Sequence, residues 1–348
     1  MTAYHRLHGL LPAVAVVAVL VGGCSMAPAP STATGPEPLP AQPKLTATHA
    51  ATTTSSAAPV VISFVNVGEG DGIVIKDGSW AGLVDGGRAH CAGAVAAELA
   101  SLGVTRLDAV LATHPDADHI GDLAALVKQF RPPVAYSDDV GTTKTYRGFM
   151  AALHAAHTRV VSVFRGHVLA LGPLKARVLN PAHDGSDTNA DSIVLLFDLD
   201  GHEVLLTGDD YGPSEDYVGS VVARGPPLYI LKVAHHGSKY ATSASFLAQT
   251  RPRYAVISVG HNSYGHPAPA TLARLKAAHA TIYTTQTNGT ISVTFLASGA
   301  VRWSFAGSSR PLAAGAAVSS ATAAGAAADR HATRGAQSPL SATQRSVD

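Results

Sequence analysis

Between residues 59 and 307 the apolar positions fall into short runs, some of period two and some at helical spacing, broken by Gly, Pro and Asp. The β-branched runs at 59–66 (PVVISFVN), 72–76 and 81–84 predict three antiparallel strands, because the Gly-rich segment 67–71 (VGEGD) turns the chain back between the first two. An alanine-rich stretch at 92–102 has helical spacing, 107–112 is again strand-like, and 121–130 reads as a helix. Further strands are predicted at 160–164, 168–171, 176–180, 192–198, 203–207, 228–234, 254–259, 281–284, 290–295 and 301–305, and helices at 149–157, 243–249 and 269–278. Many short strands with helices interleaved in both halves predict an α/β fold, two sheets packed face to face with helices outside.

Outside this interval the pattern lapses. Residues 1–24 carry Arg6, then an apolar run from about Leu10 to Val21, then Gly22, Gly23 and Cys24, which is the pattern of a signal peptide. The run is shorter than the about 20 apolar residues of a spanning helix. Val21-Gly22-Gly23-Cys24 resembles a bacterial lipobox, so Cys24 is expected to carry a lipid after cleavage and to anchor the chain on the outer face of the cell membrane; a plain secretory signal would export it equally. Residues 25–58 are Pro, Ala, Thr and Ser with little else and predict a disordered tether, and 308–348 predict a disordered Ala/Ser-rich tail. One folded domain is therefore expected, at 59–307.

Composition narrows the function. The chain of 348 residues is 46% hydrophobic and 14% charged, with 25 Lys+Arg against 24 Asp+Glu, which excludes a wholly disordered chain and a polybasic nucleic-acid coat. The interval 59–307 holds 19 Lys+Arg and 21 Asp+Glu, a net charge of −2, so bulk charge does not supply nonspecific phosphate binding. With Cys24 assigned to a lipid, Cys91 is left without a partner in the chain, and it reads as an inert thiol at a helix start.

The chemistry concentrates at three strand ends. Residues 114–119 (HPDADH) put two imidazoles and two carboxylates directly after an apolar strand and before a helix. Such side chains crowded together unpaired would repel and lose solvation, and divalent cations are the usual compensation. A second apolar strand ends in Thr207, Gly208 and Asp209, which places a carboxylate where it can bridge two metals. A third runs into His235, His236 and Gly237, where one imidazole can ligate while its neighbour faces substrate. His154, His157, His167 and His279 lack partners at ligand spacing and read as surface residues, and 137–139 (SDD) reads as a solvated turn.

These residues resemble the metallo-β-lactamase superfamily, whose first motif is His-x-His-x-Asp-His, and more narrowly the hydrolase domain of ComEC-type DNA-uptake proteins. The narrower resemblance rests on blocks in the same order: 67–71 and 83–87 (LVDGG), 113–119, 189–196, 206–209, 231–238 and 259–267 (VGHNSYGHP), together covering about residues 60–306. It implies the αββα metallo-β-lactamase sandwich with the site between the sheet edges, and two divalent cations. Carried over by position, His114, Asp116 and Asp209 would hold one cation. Asp118, His119, Asp209 and one of His235 and His236, with His235 favoured, would hold the other. Asp116 stands where the superfamily has His, and Asn189 and Ser192 occupy the region of another His ligand, so the site is harder and Mn²⁺ competes with Zn²⁺.

The resemblance implies hydrolysis of a phosphodiester, with Asp118, His236, Asn189, Ser192 and His266 as the catalytic set. His236 would protonate the leaving group or bind nonbridging oxygens, Asn189 and Ser192 would donate to the phosphate, and His266 would approach from the last loop or serve as a structural histidine there. Asp85 is expected to orient a ligand His, and Lys232 either to meet phosphate or to flank its strand. The leading expectation is an exported, lipid-tethered nuclease acting on DNA. Residues 25–348 hold no run long enough to form a channel, so any DNA channel would be a separate partner. A hydrolase of envelope phosphodiesters, such as phosphorylcholine or teichoic-acid decorations, and a noncatalytic DNA-binding surface receptor are the alternatives.

Overall fold

A computed structural model describes residues 58–138, 141–182, 187–309 and 311. The expected signal peptide with Cys24, the tether up to residue 57 and the tail from 312 lie outside the described residues. In the first half the chain forms β1 (Val60–Phe64), β2 (Ile73–Asp77), β3 (Trp80–Val84), α1 (Ala92–Ser101), β4 (Ala109–Leu111), α2 (Ala117–Ile120), α3 (Leu123–Phe130), β5 (Val134–Ser137), α4 (Lys144–Ala155) and β6 (Arg159–Ser162). The second half forms β7 (Val168–Leu171), β8 (Leu174–Asn180), β9 (Val194–Leu199), β10 (His202–Leu206), α5 (Pro213–Val222), β11 (Ile230–Lys232), α6 (Ala244–Thr250), β12 (Tyr254–Ile257), α7 (Pro269–Ala277), β13 (Thr281–Thr284), α8 (Thr285–Asn288), β14 (Ile291–Phe295) and β15 (Val301–Phe305).

Two sheets result, ordered β15-β14-β1-β2-β3-β4-β5-β6 and β13-β12-β11-β10-β9-β8-β7. Alternation explains why their strands read as unbroken apolar runs: both faces of each sheet are covered. In β2, Ile73 and Ile75 join the core between the sheets, while Val74 faces the helices α1, α3 and α4. In β9, Leu195 and Phe197 face the inter-sheet core and Val194 and Leu196 face α5, α6 and α7. This is the αββα sandwich expected from the sequence. Phe197 is fully buried in the central layer, and truncating it to Ala would cost about 3–5 kcal/mol.

Helix ends follow local chemistry. Leu123, Leu126 and Val127 give α3 one buried face, and Arg131 closes it in a left-handed conformation (φ 45°) just before Pro132 and Pro133 stop it. Thr143 starts α4 by accepting from the Tyr146 N–H at 3.1 Å, and Ser243 starts α6 by accepting from Phe246. The sequence pattern misses β5, α5 and the single-turn helices α2 and α8. The stretch expected as a solvated turn instead ends a strand: Ser137 is 1% and Asp138 3% exposed. No helix of the described residues is long and apolar enough to cross a membrane.

The parallel strands decide where chemistry can sit. β3-β4-β5-β6 run parallel in one sheet and β10-β11-β12-β13 in the other. The segments leaving the carboxyl ends of β3, β4, β10, β11 and β12 converge on one edge of the sandwich, and those segments hold Asp85, 113–119, Asp209, 235–236 and Ser258.

Candidate metal centre

Asp85 follows β3 with φ 56°, a conformation that a short polar side chain tolerates. Its fully buried carboxylate accepts from the Thr113 N–H at 2.8 Å and the Thr113 hydroxyl at 2.7 Å, and it lies 2.7 Å from His119 Nδ1. A carboxylate only accepts, so His119 Nδ1 donates and its Nε2 carries a lone pair. His236 Nδ1 lies 2.9 Å from the Ser258 carbonyl, which fixes that ring the same way. His114 Nδ1 is 3.0 Å from Thr113 Oγ1, whose proton is committed to Asp85, so His114 Nε2 is also left as an acceptor.

With each ring neutral, the three Nε2 lone pairs would border one buried space. His119 Nε2 and His236 Nε2 are 3.2 Å apart, and Asp209 Oδ1 lies 3.2 Å from the former and Asp209 Oδ2 3.5 Å from the latter. Asp118 Oδ2 stands 3.4 Å from His236 Nε2. On the other side His114 Nε2, buried and without a hydrogen-bond partner, faces Asp116 Oδ2 at 3.8 Å and Asp209 Oδ2 at 3.9 Å. Burial and the neighbouring His119 hold His114 well below the usual imidazole range, so it is a neutral donor of its lone pair. Burial opposes charge throughout the cluster, but Asp209 and the neighbouring carboxylates raise His119 and His236 above the usual imidazole range. The positive rings in turn keep Asp209 and Asp118 below the usual carboxyl range, so the centre of the cluster demands positive charge.

Lone pairs at such distances repel unless a proton or a metal cation lies between them. Asp71, Asp85, Asp116, Asp118 and Asp209 meet one buried ammonium, Lys232, leaving four formal negative charges around the rings. One proton shared by His119 and His236 would satisfy their 3.2 Å contact but leave most of the negative charge unmet, and a second would set two N–H groups against each other. The donor set fits divalent cations, and two groupings of ligand atoms suit them: His114, His119 and Asp209, and Asp118, His119 and His236.

Several expected residues take different places. His235, favoured as the ligand, belongs to neither grouping: its side chain is 26% exposed and its Nε2 is 3.7 Å from Asp209. Both histidines have left-handed backbone (φ 50° and 51°), and that turn aims His236 inward while His235 stays at the rim, 5.5 Å ring to ring from His266. Ser192, expected to donate to phosphate, lies behind the ligands. It is fully buried, accepts from the Asp209 N–H at 3.0 Å and lies 3.3 Å from His114 Nδ1. Asn189 sits at partial exposure, and its Oδ1 has no hydrogen-bond partner among the described residues. His266 places Nδ1 3.1 Å from Glu69, which also holds the Gly260 N–H and Asn262 at 3.1 Å, so the last loop is braced from beneath.

Lys232 takes up a buried ion pair rather than simply flanking β11. It is fully buried, donates to the Gly208 carbonyl at 2.8 Å and pairs with Asp71. Asp71 was legible only as part of the 67–71 segment, and its function as the counter-ion of Lys232 behind His119 has no local signal. A Cβ on Gly70 would lie 2.2 Å from the Asp118 carbonyl, and one on Gly208 would lie 2.9 Å from Ser192 Cβ, so close backbone approach seats both loops. His154, His157, His167 and His279 are exposed, as expected.

This fold and this cluster define the class. Residues 65–261 match the Metallo-beta-lactamase superfamily, more than half of the chain, and the chain belongs to that superfamily, whose members are generally metal-dependent hydrolases and whose fold implies divalent metal binding. Within it, the chain is 35% identical over 197 residues to ComE operon protein 3 of Bacillus subtilis, covering 56% of this chain and 25% of that protein. It is 30% identical over 218 residues to Competence protein ComA of Neisseria gonorrhoeae, covering 61% of this chain and 29% of that protein. Both are ComEC-type competence proteins, and this chain spans little more than a quarter of their length. The metallo-beta-lactamase fold protein YhfI of Bacillus subtilis is a similar solved structure, with a TM-score of 0.48 and 16% identity over 70% of this chain and all of that one.

Proposed function

We propose that this protein is an extracytoplasmic, metal-dependent phosphodiesterase that cleaves DNA and works with two divalent cations, Zn²⁺ or Mn²⁺. The observation that carries the proposal is the 3.2 Å approach of His119 Nε2 and His236 Nε2 beside Asp209 and Asp118, with both Nδ1 atoms tied to buried acceptors. Asp118, His119, Asp209 and His236 would hold one cation, and His114, Asp116 and Asp209 the other. When bound, such cations lower the pKa of a coordinated water and offset charge on phosphoryl oxygens.

The chain's own residues do the rest. Asp85 and the Ser258 carbonyl fix the tautomers of His119 and His236, so neither ring must reorganise as substrate arrives. Ser192 fixes the Asp209 backbone, and Lys232 balances Asp71 behind the cluster. With His236 in the ligand set, the rim imidazoles His235 and His266 are left to meet the phosphate and leaving group, and Glu69 orients the His266 ring. The DNA-uptake relatives support DNA as substrate, and the Cys24 pattern supports export and lipid anchoring.

The test is cleavage of single-stranded and double-stranded DNA beside bis(p-nitrophenyl) phosphate, with Mn²⁺ or Zn²⁺ added and Asp118→Ala as control. DNA cleavage that the variant lacks is the expected result. Cleavage of the small diester alone redirects the substrate to envelope phosphodiesters, and metal binding without turnover points to a receptor. Labelling with a radioactive fatty acid, lost in Cys24→Ser, checks the anchor.

A further inference from the structure

Beside the metal-like cluster runs a groove of about 310 Å³, roughly where ligand sites begin in size, lined by Arg88, Ala117, Asp118, Gly121, Thr145 and Tyr264. One end is the Asp118 carboxylate, so the groove is continuous with the site already described. The other features are a cation and an aromatic ring. Arg88 is exposed and forms no ion pair among the described residues, which leaves its guanidinium to an anion from outside. Tyr264 is 69% exposed, among the large side chains most open to solvent.

That tyrosine is held out rather than left loose. Asn262 accepts from the N–H groups of Tyr264 and His266 at 3.0 Å and donates to Glu69 at 3.1 Å, the Gly260 carbonyl at 2.9 Å and the His266 carbonyl at 2.8 Å. The Tyr264 ring lies over His266, with centroids 5.7 Å apart and planes 30° from parallel. With its backbone held and one face against His266, the exposed Tyr264 ring has less conformational entropy to lose than a free side chain when a second ring stacks on its other face. Gly121 lets the backbone at 88–89 pack directly against α2, where a Cβ would lie 2.5 Å from the Ala89 nitrogen, and so seats Arg88 beside the groove.

We propose that this groove is the subsite for the nucleotide next to the scissile diester of single-stranded DNA, with its base stacked on Tyr264 and its phosphate at Arg88. The proposal rests on the phosphodiesterase reading of the adjoining cluster and narrows its substrate to unpaired strands. A base in a duplex presents its face to neighbouring bases and cannot lie on Tyr264 without leaving the stack. Sequence tolerance follows, since every base has a π-face. Local binding of this kind also suits a domain whose bulk charge is slightly negative.

The experiment is fluorescence anisotropy of the full-length chain with a labelled short oligothymidylate in EDTA, beside a strand of equal length made of abasic sites. Tyr264→Ala is expected to weaken oligothymidylate binding about tenfold, Tyr264→Phe to keep it, and the abasic strand to bind wild type as weakly as oligothymidylate binds the Ala variant. Arg88→Ala is expected to reduce the slope of log K against log salt by about 0.7. Equal binding of oligothymidylate by wild type and Tyr264→Ala, or of the two strands by wild type, overturns the subsite. Hydrolysis of bis(p-nitrophenyl) phosphate is followed in parallel. Its absence with Tyr264-dependent binding intact removes the phosphodiesterase reading and supports the groove as a strand-binding site.

Discussion

Two imidazoles and two carboxylates close around the His119–His236 contact, whereas the His114 side of the cluster offers one imidazole, one carboxylate with a 42% exposed side chain and a share of Asp209. The rings of the first half are locked by Asp85 and Ser258. In the second half Asp116 is raised toward its neutral form by burial and by Asp118, and Ser192 holds backbone where another imidazole would add a ligand. On the proposed dinuclear reading, the difference teaches that the two cations would not be held equally. A harder, more open half favours an exchangeable ion, while the braced half is built to keep one.

Substitution can break this contrast. The largest effect is expected in the braced half: His236→Ala and Asp118→Ala each take hydrolysis to background and lose bound metal, while His235→Ala keeps its metal content. A His235 variant that loses metal as His236→Ala should would reverse the ligand assignment. Next comes Lys232→Met, which leaves Asp71 buried without its counter-ion and is expected to cost about 3–5 kcal/mol in a urea unfolding titration. Asp85→Asn frees the His119 ring and is expected to lower metal affinity or activity about 10–100-fold at unchanged fold, read by metal titration and circular dichroism. The smallest effect falls on the open half. Asp116→Ala is expected to remove the weaker metal equivalent and reduce activity about tenfold or less, and metal content by mass spectrometry with steady-state assays would show it.

Much of the fold was legible because its central strands are buried on both faces, its edge strands β7 and β15 alternate with period two, and Gly and Asp punctuate them. Strands β7, β13 and β15 begin and end where the pattern places them. Strand β5 was hidden because Ser137 and Asp138 look like turn residues and only tertiary burial shows otherwise. Helix α5 carries Pro213 at its start and Glu215 and Asp216 in its first turn, a signal that could have found it despite its weak apolar face. In the site, the 114–119 segment and Asp209 stand out at strand ends, where apolar runs stop at clustered titratable groups. The choice between His235 and His236 was not legible, since adjacent histidines differ only through a left-handed turn. The buried Lys232–Asp71 pair joins residues far apart in sequence, and Ser192 became a brace because the Asp209 backbone closes on it.

Anomalous diffraction from crystals of the protein soaked in Zn²⁺ or Mn²⁺ tests the central claim most directly. The account predicts the strongest peak within ligand distance of His119 Nε2, His236 Nε2, Asp118 and Asp209, and a weaker second peak beside His114 and Asp116. A peak on His235 with His236 unligated, or no peak at saturating metal, would contradict it.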